Sequence, residues 1–386
     1  MKTFLLRYQK KIVFSALALL LLALFGIGAF WVDSKTHPFS SKQQSIENTQ
    51  VDSPSITPEI EILPSTPEAP EESMDAPTEE LVEESTEETT LENEEGEEEL
   101  ATTEELEMLP PVTKTHGSDE LRIGFLTDLH ARSNAGIPES NRVIKPFFKN
   151  IITSFVTQMN NDFGADFLLL NGDVIEGTGR NATVGMGELK SLKKLFDLTQ
   201  IKKYWVIGNH DVRAVNKKQW QQALEIDYLY DYFDKGDYRI IMLDSNFDDL
   251  DKNIAPGDYF TRGGVSQKQL QWLERALDTK KTKIVFMHHP PLKNIGIHPD
   301  SGLLYNAPEL QEIFSKNEVT AVFFGHLEYS YQSEVNGVKY FMIPGATKNE
   351  NYQGTFAEIK IKNQTIELTL NYLDKSGFYK SKKVFN

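Results

Sequence analysis

Short apolar strands alternate with amphipathic helices from Leu121 onward, and five of the strands end in the same few polar residue types. The endings are TDLH (127–130), NGD (171–173), GNHD (208–211), HHP (288–290) and GHLE (325–328). In an open α/β sheet, ligands bind beyond the carboxyl ends of the strands. The pattern therefore predicts an α/β domain in which these endings meet at a common site.

The last part of the chain departs from this alternation. Asn336 and Gly337 stand between two runs of alternating hydrophobicity, which is a hairpin signal. Residues 355–373 have the pattern of a second hairpin. We therefore expect one domain over residues 119–386, with antiparallel strands towards its end.

The first 32 residues predict a membrane anchor. Residues 1–11 carry four basic residues and no acidic one, and an uncharged run of 21 residues follows at 12–32. About 20 helical residues cross the hydrocarbon core of a bilayer, and the positive flank stays in the cytoplasm. We expect a cytoplasmic basic tail (1–11), a single transmembrane helix (12–32) and a domain on the outer face of the cell membrane. A cleaved signal peptide is the alternative.

Residues 33–118 predict a disordered acidic linker. The stretch 33–112 holds 24 of the 57 acidic residues of the chain and only two basic ones, and its apolar residues have no period. Such a segment cannot bury enough apolar surface to offset the entropy of ordering. The remainder of the chain is nearly neutral, so its charge gives no indication of nucleic-acid binding. The chain has no cysteine, which excludes disulfides and thiolate metal sites.

The five strand endings supply oxygen and imidazole ligands together. Five of the eight histidines of the chain lie in them. Each ending alone is typical of a loop, a turn or a helix cap. Unpaired polar groups at five strand ends need a common partner, and a metal cluster is the simplest one. Mixed carboxylate, amide and imidazole ligands suit Mn, Fe or Zn.

The series DLH, GD, GNHD, HHP and GH resembles the calcineurin-like metallophosphoesterases. The resemblance implies a four-layered α/β/β/α sandwich with two divalent metal ions, and an enzyme that hydrolyses phosphate mono- or diesters with a hydroxide activated by the two metals. Outside a membrane, candidate substrates are nucleotides, phosphorylated cell-wall polymers and lipid headgroups. We expect the inserts at 177–200 and 292–308 to wall the substrate pocket.

The resemblance also implies a role for individual residues. Asp173 would bridge the two metals, while Asn209 and His210 would lie beside the substrate phosphate. Apart from the resemblance, Glu176 stands three residues after Asp173 and is expected to orient His210, the expected catalytic acid, with an ordinary surface acid as the alternative. His288 is preferred to His289 as a ligand because the family pattern is similar to His-x-Pro. The implied metal ligands are Asp128, His130, Asp173, Asn209, His288, His326 and Glu328.

Glu328 departs from the family pattern, which has a second histidine at this place. In one interpretation Glu328 binds the first metal through oxygen. In the other the first metal site is weakened, and the protein is a metal- or phosphate-binding surface protein with a relic site. A carboxylate in place of a neutral imidazole adds negative charge, so hard ions such as Mn are favoured over Zn.

Overall fold

A computed structural model of the chain describes residues 107–133, 144–292, 303–347, 354–373 and 379–385, apart from 113, 115, 118 and 259. These residues belong to one structural unit, Glu95–Asn386. The predicted cytoplasmic tail (1–11), the predicted anchor (12–32) and nearly all of the predicted linker (33–118) lie outside the described residues. Within the described part of the chain, none of the helices is both long enough and apolar enough to cross a membrane.

The described residues form twelve strands and six helices. In chain order they are β1 (Glu120–Leu126), α1 (Pro146–Thr157, continued by a π-helical segment Gln158–Phe163), β2 (Phe167–Asn171), α2 (Ala182–Phe196), β3 (Lys202–Val206), α3 (Asn209–Ala214), α4 (Lys217–Leu224), β4 (Asp231–Lys235), β5 (Tyr238–Met242), α5 (Gln267–Leu277), β6 (Thr282–Phe286), α6 (Ala307–Lys316), β7 (Ala321–Phe324), β8 (Tyr331–Val335), β9 (Val338–Met342), β10 (Gly354–Lys362), β11 (Thr365–Leu373) and β12 (Tyr379–Phe385).

The strands form two mixed sheets of six. The first has the order β12-β11-β10-β1-β2-β3, and the second has the order β4-β5-β6-β7-β9-β8. Strands β1, β2 and β3 run parallel to each other, as do β5, β6, β7 and β9. Strands β10, β11 and β12 pair antiparallel, which confirms the expectation for the end of the chain.

Three apolar clusters place these sheets in four layers. One cluster lies between the sheets, where the Phe125, Phe286 and Phe323 rings have centroids 5.3–6.4 Å apart. A second joins the other face of the first sheet to α1–α4. A third joins the other face of the second sheet to α5 and α6. The architecture is thus the α/β/β/α sandwich that the resemblance implies.

Local sequence signals explain most of these elements. Asn181 accepts a hydrogen bond from the Val184 amide and so caps α2, and Ser266 caps α5 in the same way. Asn336 and Gly337 both have positive φ, as the tight β8–β9 hairpin requires. The edge strand β4 was not predicted, because its largely exposed sequence DYFDK has no apolar period.

Candidate active site

The five strand endings meet at one edge of the two sheets. Their ligand atoms form two groups of three, and within each group the atoms lie within 4.8 Å of one another. The first group is Asp128, His130 and Glu328, and the second is Asp173, His288 and His326. A third group shares His130 with Glu176 and His210. The structure therefore brings together all of the residues that the sequence proposes, with Asn209 beside the second group.

The backbone leaves each strand by an unusual turn. Positive φ angles between 49° and 73° occur at Asp128, His130, Asp173, His326 and Glu328. This left-handed region is unfavourable for residues with a Cβ, at a cost of about 1–3 kcal/mol each, and such residues cluster at active sites. Five of the seven predicted ligands are therefore held in a strained conformation that turns them towards one another.

Two glycines allow the strand ends to approach closely. A Cβ atom on Gly208 would meet the backbone nitrogen and a carboxylate oxygen of Asp173. A Cβ atom on Gly325 would meet Thr127 and a carboxylate oxygen of Asp128. Both glycines are therefore required by the packing of carboxylates that come from a different strand.

The first group is arranged around the His130 ring. Its Nε2 atom lies 3.5 Å from Glu328 Oε1 and 3.9 Å from Asp128 Oδ1. The Asp128 carboxylate accepts hydrogen bonds from the Thr127 hydroxyl at 2.6 Å and from the His326 backbone N–H at 3.0 Å. Glu328 therefore lies next to the other two candidate ligands of this group.

The second group is arranged around His288, which is completely buried. Its Nδ1–H donates to the Asn171 carbonyl at 3.0 Å, so Nε2 is the nitrogen that faces the site. That atom lies 3.2 Å from Asp173 Oδ2, 3.1 Å from the Asn209 amide and 3.3 Å from His326 Nδ1. His289 points elsewhere, with its Nδ1 atom 2.8 Å from the Ser245 hydroxyl.

His210 is held by three residues. Its backbone N–H donates to Asp173 Oδ1 at 2.7 Å, and its Nδ1–H donates to the Glu176 carbonyl oxygen at 2.8 Å. The Glu176 carboxylate also lies 3.4 Å from Nδ1. Arg213 Nη1 lies 2.6 Å from Nε2 and 3.0 Å from Nδ1 of the same ring. Glu176 therefore contacts His210 as expected from the sequence, whereas the Arg213 contact was not predicted.

Burial and neighbouring charges set the electrostatics of the site. Burial raises the pKa of the Asp128 carboxyl to about 6. For His288, burial acts to lower the pKa, but the carboxylates of Asp173 and Asp128 raise it to about 9. Burial and the charge of His288 lower the pKa of His326 to about 3.

These residues fit a pair of divalent cations. The donor set is mixed carboxylate, imidazole and amide, which suits Mn, Fe or Zn. Burial opposes a charged His130, yet Glu176 and Glu328 raise the pKa of this ring well above its usual range, so the site favours positive charge. Neither ring nitrogen of His130 makes a hydrogen bond within the described residues, although both are buried. A histidine that binds a metal needs a ring nitrogen that is not already used in a hydrogen bond.

A cavity of about 500 Å³ opens beside the site. Its lining residues are His130, Arg132, Lys145, Phe147, Phe148, Glu176, His210, Glu328 and Thr347. None of the described residues of the inserts 177–200 and 292–308 lines it, so the prediction that they wall the pocket does not hold for this cavity. A larger cavity of about 600 Å³ lies near the amino ends of β1, β2 and β3, at the opposite edge.

The profile of one protein family, described as calcineurin-like phosphoesterase, matches residues 121–327, which is more than half of the chain. The chain belongs to this family. The family is one of hydrolases that act on phosphoester bonds and depend on divalent metals. Glu328 lies one residue beyond the matched range.

Two relatives and one solved structure are similar to this phosphoesterase. It is 29% identical over 170 residues to a probable glycerophosphodiester phosphodiesterase of Arcobacter nitrofigilis, a match that covers 42% of this chain and 56% of that protein. It is 25% identical over 223 residues to a 3′,5′-cyclic-nucleotide phosphodiesterase of Nostoc, covering 57% and 77%. A dimetal phosphatase from Danio rerio shares the fold, with a TM-score of 0.50, 15% identity, and coverage of 68% and 98%.

Proposed function

We propose that this phosphoesterase hydrolyses phosphate esters, diesters in particular, at a centre of two divalent cations. One observation carries the proposal. Oδ2 of Asp173 lies 3.2 Å from His288 Nε2 in one ligand group and 4.0 Å from His130 Nε2 in the other. A single buried carboxylate thus faces both groups, as a bridging ligand must. The names of the two relatives, a probable glycerophosphodiester phosphodiesterase and a cyclic-nucleotide phosphodiesterase, favour diesters over monoesters.

Each cation would have its own ligands. Asp128, His130 and Glu328 would hold the first, and His288, His326 and Asn209 would hold the second, with Asp173 shared. When bound, the two cations would neutralise the charge of the phosphate and activate water for attack on it. Mn is favoured among Mn, Fe and Zn, because three carboxylates contribute hard oxygen ligands.

The protein's own groups position the substrate phosphate beside that centre. Asn209 and His210 begin helix α3 next to Asp173, and Arg213 lies on the next turn of the same helix. Imidazole and guanidinium donors in this position stabilise negative charge that develops on phosphate oxygens. His210 is the candidate proton donor to the leaving oxygen, and Glu176 holds its ring in place through Nδ1.

The relic-site alternative depended on the missing second histidine. Glu328 Oε1 lies 3.5 Å from His130 Nε2, so an oxygen donor is present where the family has a nitrogen donor. This distance supports direct ligation by Glu328 and hence a working first metal site.

We also propose that the domain is held outside the cell membrane by residues 12–32. The sequence alone supports this, through the basic residues that precede an uncharged run of 21 residues. Candidate substrates in that location are nucleotides, phosphorylated cell-wall polymers and lipid headgroups. Fractionation of cells that express the full chain, with protease added outside, tests the location.

The activity test uses the purified full chain with Mn, Fe or Zn, bis(p-nitrophenyl) phosphate and p-nitrophenyl phosphate. We expect turnover of the diester. Asp173→Asn should lower kcat/KM about 100-fold or more, because mutation of a residue that only supports a metal ligand already lowers metal affinity or activity about 10–100-fold. Asp249→Asn, at an exposed position, is the control. Metal binding without turnover of any ester would reject the proposal in favour of the relic site.

A further inference from the structure

The cavity beside His130 has a catalytic wall and an outer wall. The catalytic wall contains His130, His210 and Glu328, while the outer wall contains Arg132, Lys145 and Phe147. A group attached to a phosphate at the metal centre would enter this cavity directly. The outer wall would then face the part of the substrate next to the scissile bond.

Arg132 and Lys145 bring two cationic side chains to the outer wall. The Lys145 backbone N–H donates to the Arg132 carbonyl at 3.1 Å, and Ser133 and Ile144 form a bridge beside them. The buried carboxylate of Glu188 anchors this ladder by accepting from the Ser133 amide and hydroxyl, both at 2.8 Å. The two cations therefore lie on a fixed backbone frame.

Only one of the two cations has a carboxylate partner among the described residues. Arg132 Nη2 lies 3.3 Å from Glu176 Oε2, while Lys145 is exposed and forms no ion pair with a described residue. Lys145 also precedes α1, whose amino end has no side-chain cap. The helix dipole adds positive potential to that of the ammonium group. The outer wall thus favours an anion.

An aromatic ring completes the outer wall. Phe147 is 41% exposed, which is high for a phenylalanine, and its ring packs edge-on against Phe148 with centroids 5.2 Å apart. Phe147 thus packs on a neighbouring ring, remains partly exposed and lines the cavity. Stacking of a nucleic-acid base on an aromatic side chain is worth about 1–3 kcal/mol.

We infer that this cavity binds the second phosphoryl group and the base of a nucleoside diphosphate derivative, with the phosphoryl on Arg132 and Lys145 and the base on Phe147. The inference rests on the proposed function. Water oxygen would bond to the other phosphorus, which the two cations would hold, and the bond from that phosphorus to the bridging oxygen would break. The nucleoside monophosphate leaves with the bridging oxygen, and the proton released by water passes to that leaving phosphate.

The test compares two methyl esters, of adenosine 5′-diphosphate and of adenosine 5′-monophosphate, with the purified full chain and Mn. In Lys145→Gln, we expect the ratio of kcat/KM for the diphosphate ester to that for the monophosphate ester to fall about tenfold, since a charged hydrogen bond is lost. Lys149→Gln, one turn along α1 and outside the cavity, should leave the ratio unchanged. Phe147→Ala should weaken the diphosphate ester more than the monophosphate ester, whose base lies one phosphoryl group nearer to the metals, and Phe147→Tyr should restore the diphosphate ester.

Different results would overturn the subsite and the proposed activity. An unchanged ratio in Lys145→Gln, with both esters turned over, overturns the subsite and leaves the enzyme. If neither ester is hydrolysed by the wild type, the activity proposal fails, and equilibrium dialysis of adenosine 5′-monophosphate and 5′-diphosphate decides the subsite. The subsite then requires the ratio of the two Kd values to differ about tenfold between the wild type and Lys145→Gln. The same ratio in both proteins would overturn the subsite.

Discussion

Arg213 contacts both residues that begin the helix on which it lies. Its Nη1 atom is 2.6 Å from His210 Nε2, and its Nη2 atom is 3.3 Å from the Asn209 amide. Nη1 also donates to the Thr178 hydroxyl at 3.0 Å. Because residues three and four apart face the same side of a helix, one guanidinium can hold a candidate ligand and a candidate acid together.

Arg213→Gln should lower kcat roughly 10- to 100-fold, with a smaller change in KM and unchanged Mn content. The neutral side chain removes a charge beside the phosphate and frees the His210 ring. Arg213→Lys should recover little, because an ammonium group cannot span several partners as a planar guanidinium does. Steady-state kinetics measure this, with exposed Arg275→Gln as the control. A wild-type kcat in Arg213→Gln would remove Arg213 from the mechanism.

Glu328→His should shift the metal preference of the protein from Mn towards Zn. The substitution replaces a hard anionic oxygen by a neutral nitrogen and removes one negative charge from the site. Metal content after dialysis against equal Mn and Zn, together with activity in each metal, measures the shift, which we expect to be several-fold. Glu334→His, in the exposed part of β8, is the control. An unchanged metal preference would show that Glu328 is not a ligand.

His288→Asn should weaken metal binding, whereas His289→Asn should leave it unchanged. His288 Nε2 faces Asp173, whereas His289 Nδ1 faces Ser245. We expect His288→Asn to lose about half of the bound Mn, and His289→Asn to keep it. Metal analysis of both purified variants, with thermal melts to establish folding, is the measurement. If His289→Asn loses the metal instead, the ligand is the second histidine of the pair.

Most of the fold could be predicted because strands and helices in its core carry apolar periods. The buried strand FLLLN and the helix APELQEIFSK occur where the sequence places them. The edge strand β4 and the six-residue helix α3 were missed for a physical reason. An exposed edge strand has no buried face, and a helix of fewer than two turns after a strand is too short for its period to be detected.

Lys217→Met should destabilise the domain by about 3 kcal/mol. Lys217 Nζ lies 2.6 Å from Asp244 Oδ2, and both side chains are buried, so removal of one partner leaves an uncompensated charge. The pair joins α4, which packs on the first sheet, to Asp244, two residues after the end of β5 in the second sheet. Chemical denaturation measures the effect, with exposed Lys218→Met on the same helix as the control. The double variant Lys217→Met with Asp244→Leu should recover part of the loss, and a single variant as stable as the control would contradict the prediction.

The ligands of the candidate site could be read from the sequence, but its cationic residues could not. Asp128 and His326 each lie two residues beyond the end of a strand, so topology alone brings them to one edge. Arg132, Lys145 and Arg213 have the pattern of ordinary surface cations. Arg132 is placed by a short β-bridge, Lys145 by the start of α1, and Arg213 by one turn of α3. The spacing of residues along the sequence does not reveal such tertiary contacts.

Because the group of Asp128, His130 and Glu328 and the group of Asp173, His288 and His326 each draw from both sheets, neither sheet supplies a complete set of metal ligands. A chain cut in the loop between α4 and β4 would leave Asp128, His130 and Asp173 on one fragment and His288, His326 and Glu328 on the other. Each piece would be inert alone, and turnover would return only on reassembly. The phosphoesterase could therefore serve as a split reporter, in which catalysis signals that two fused partners have met.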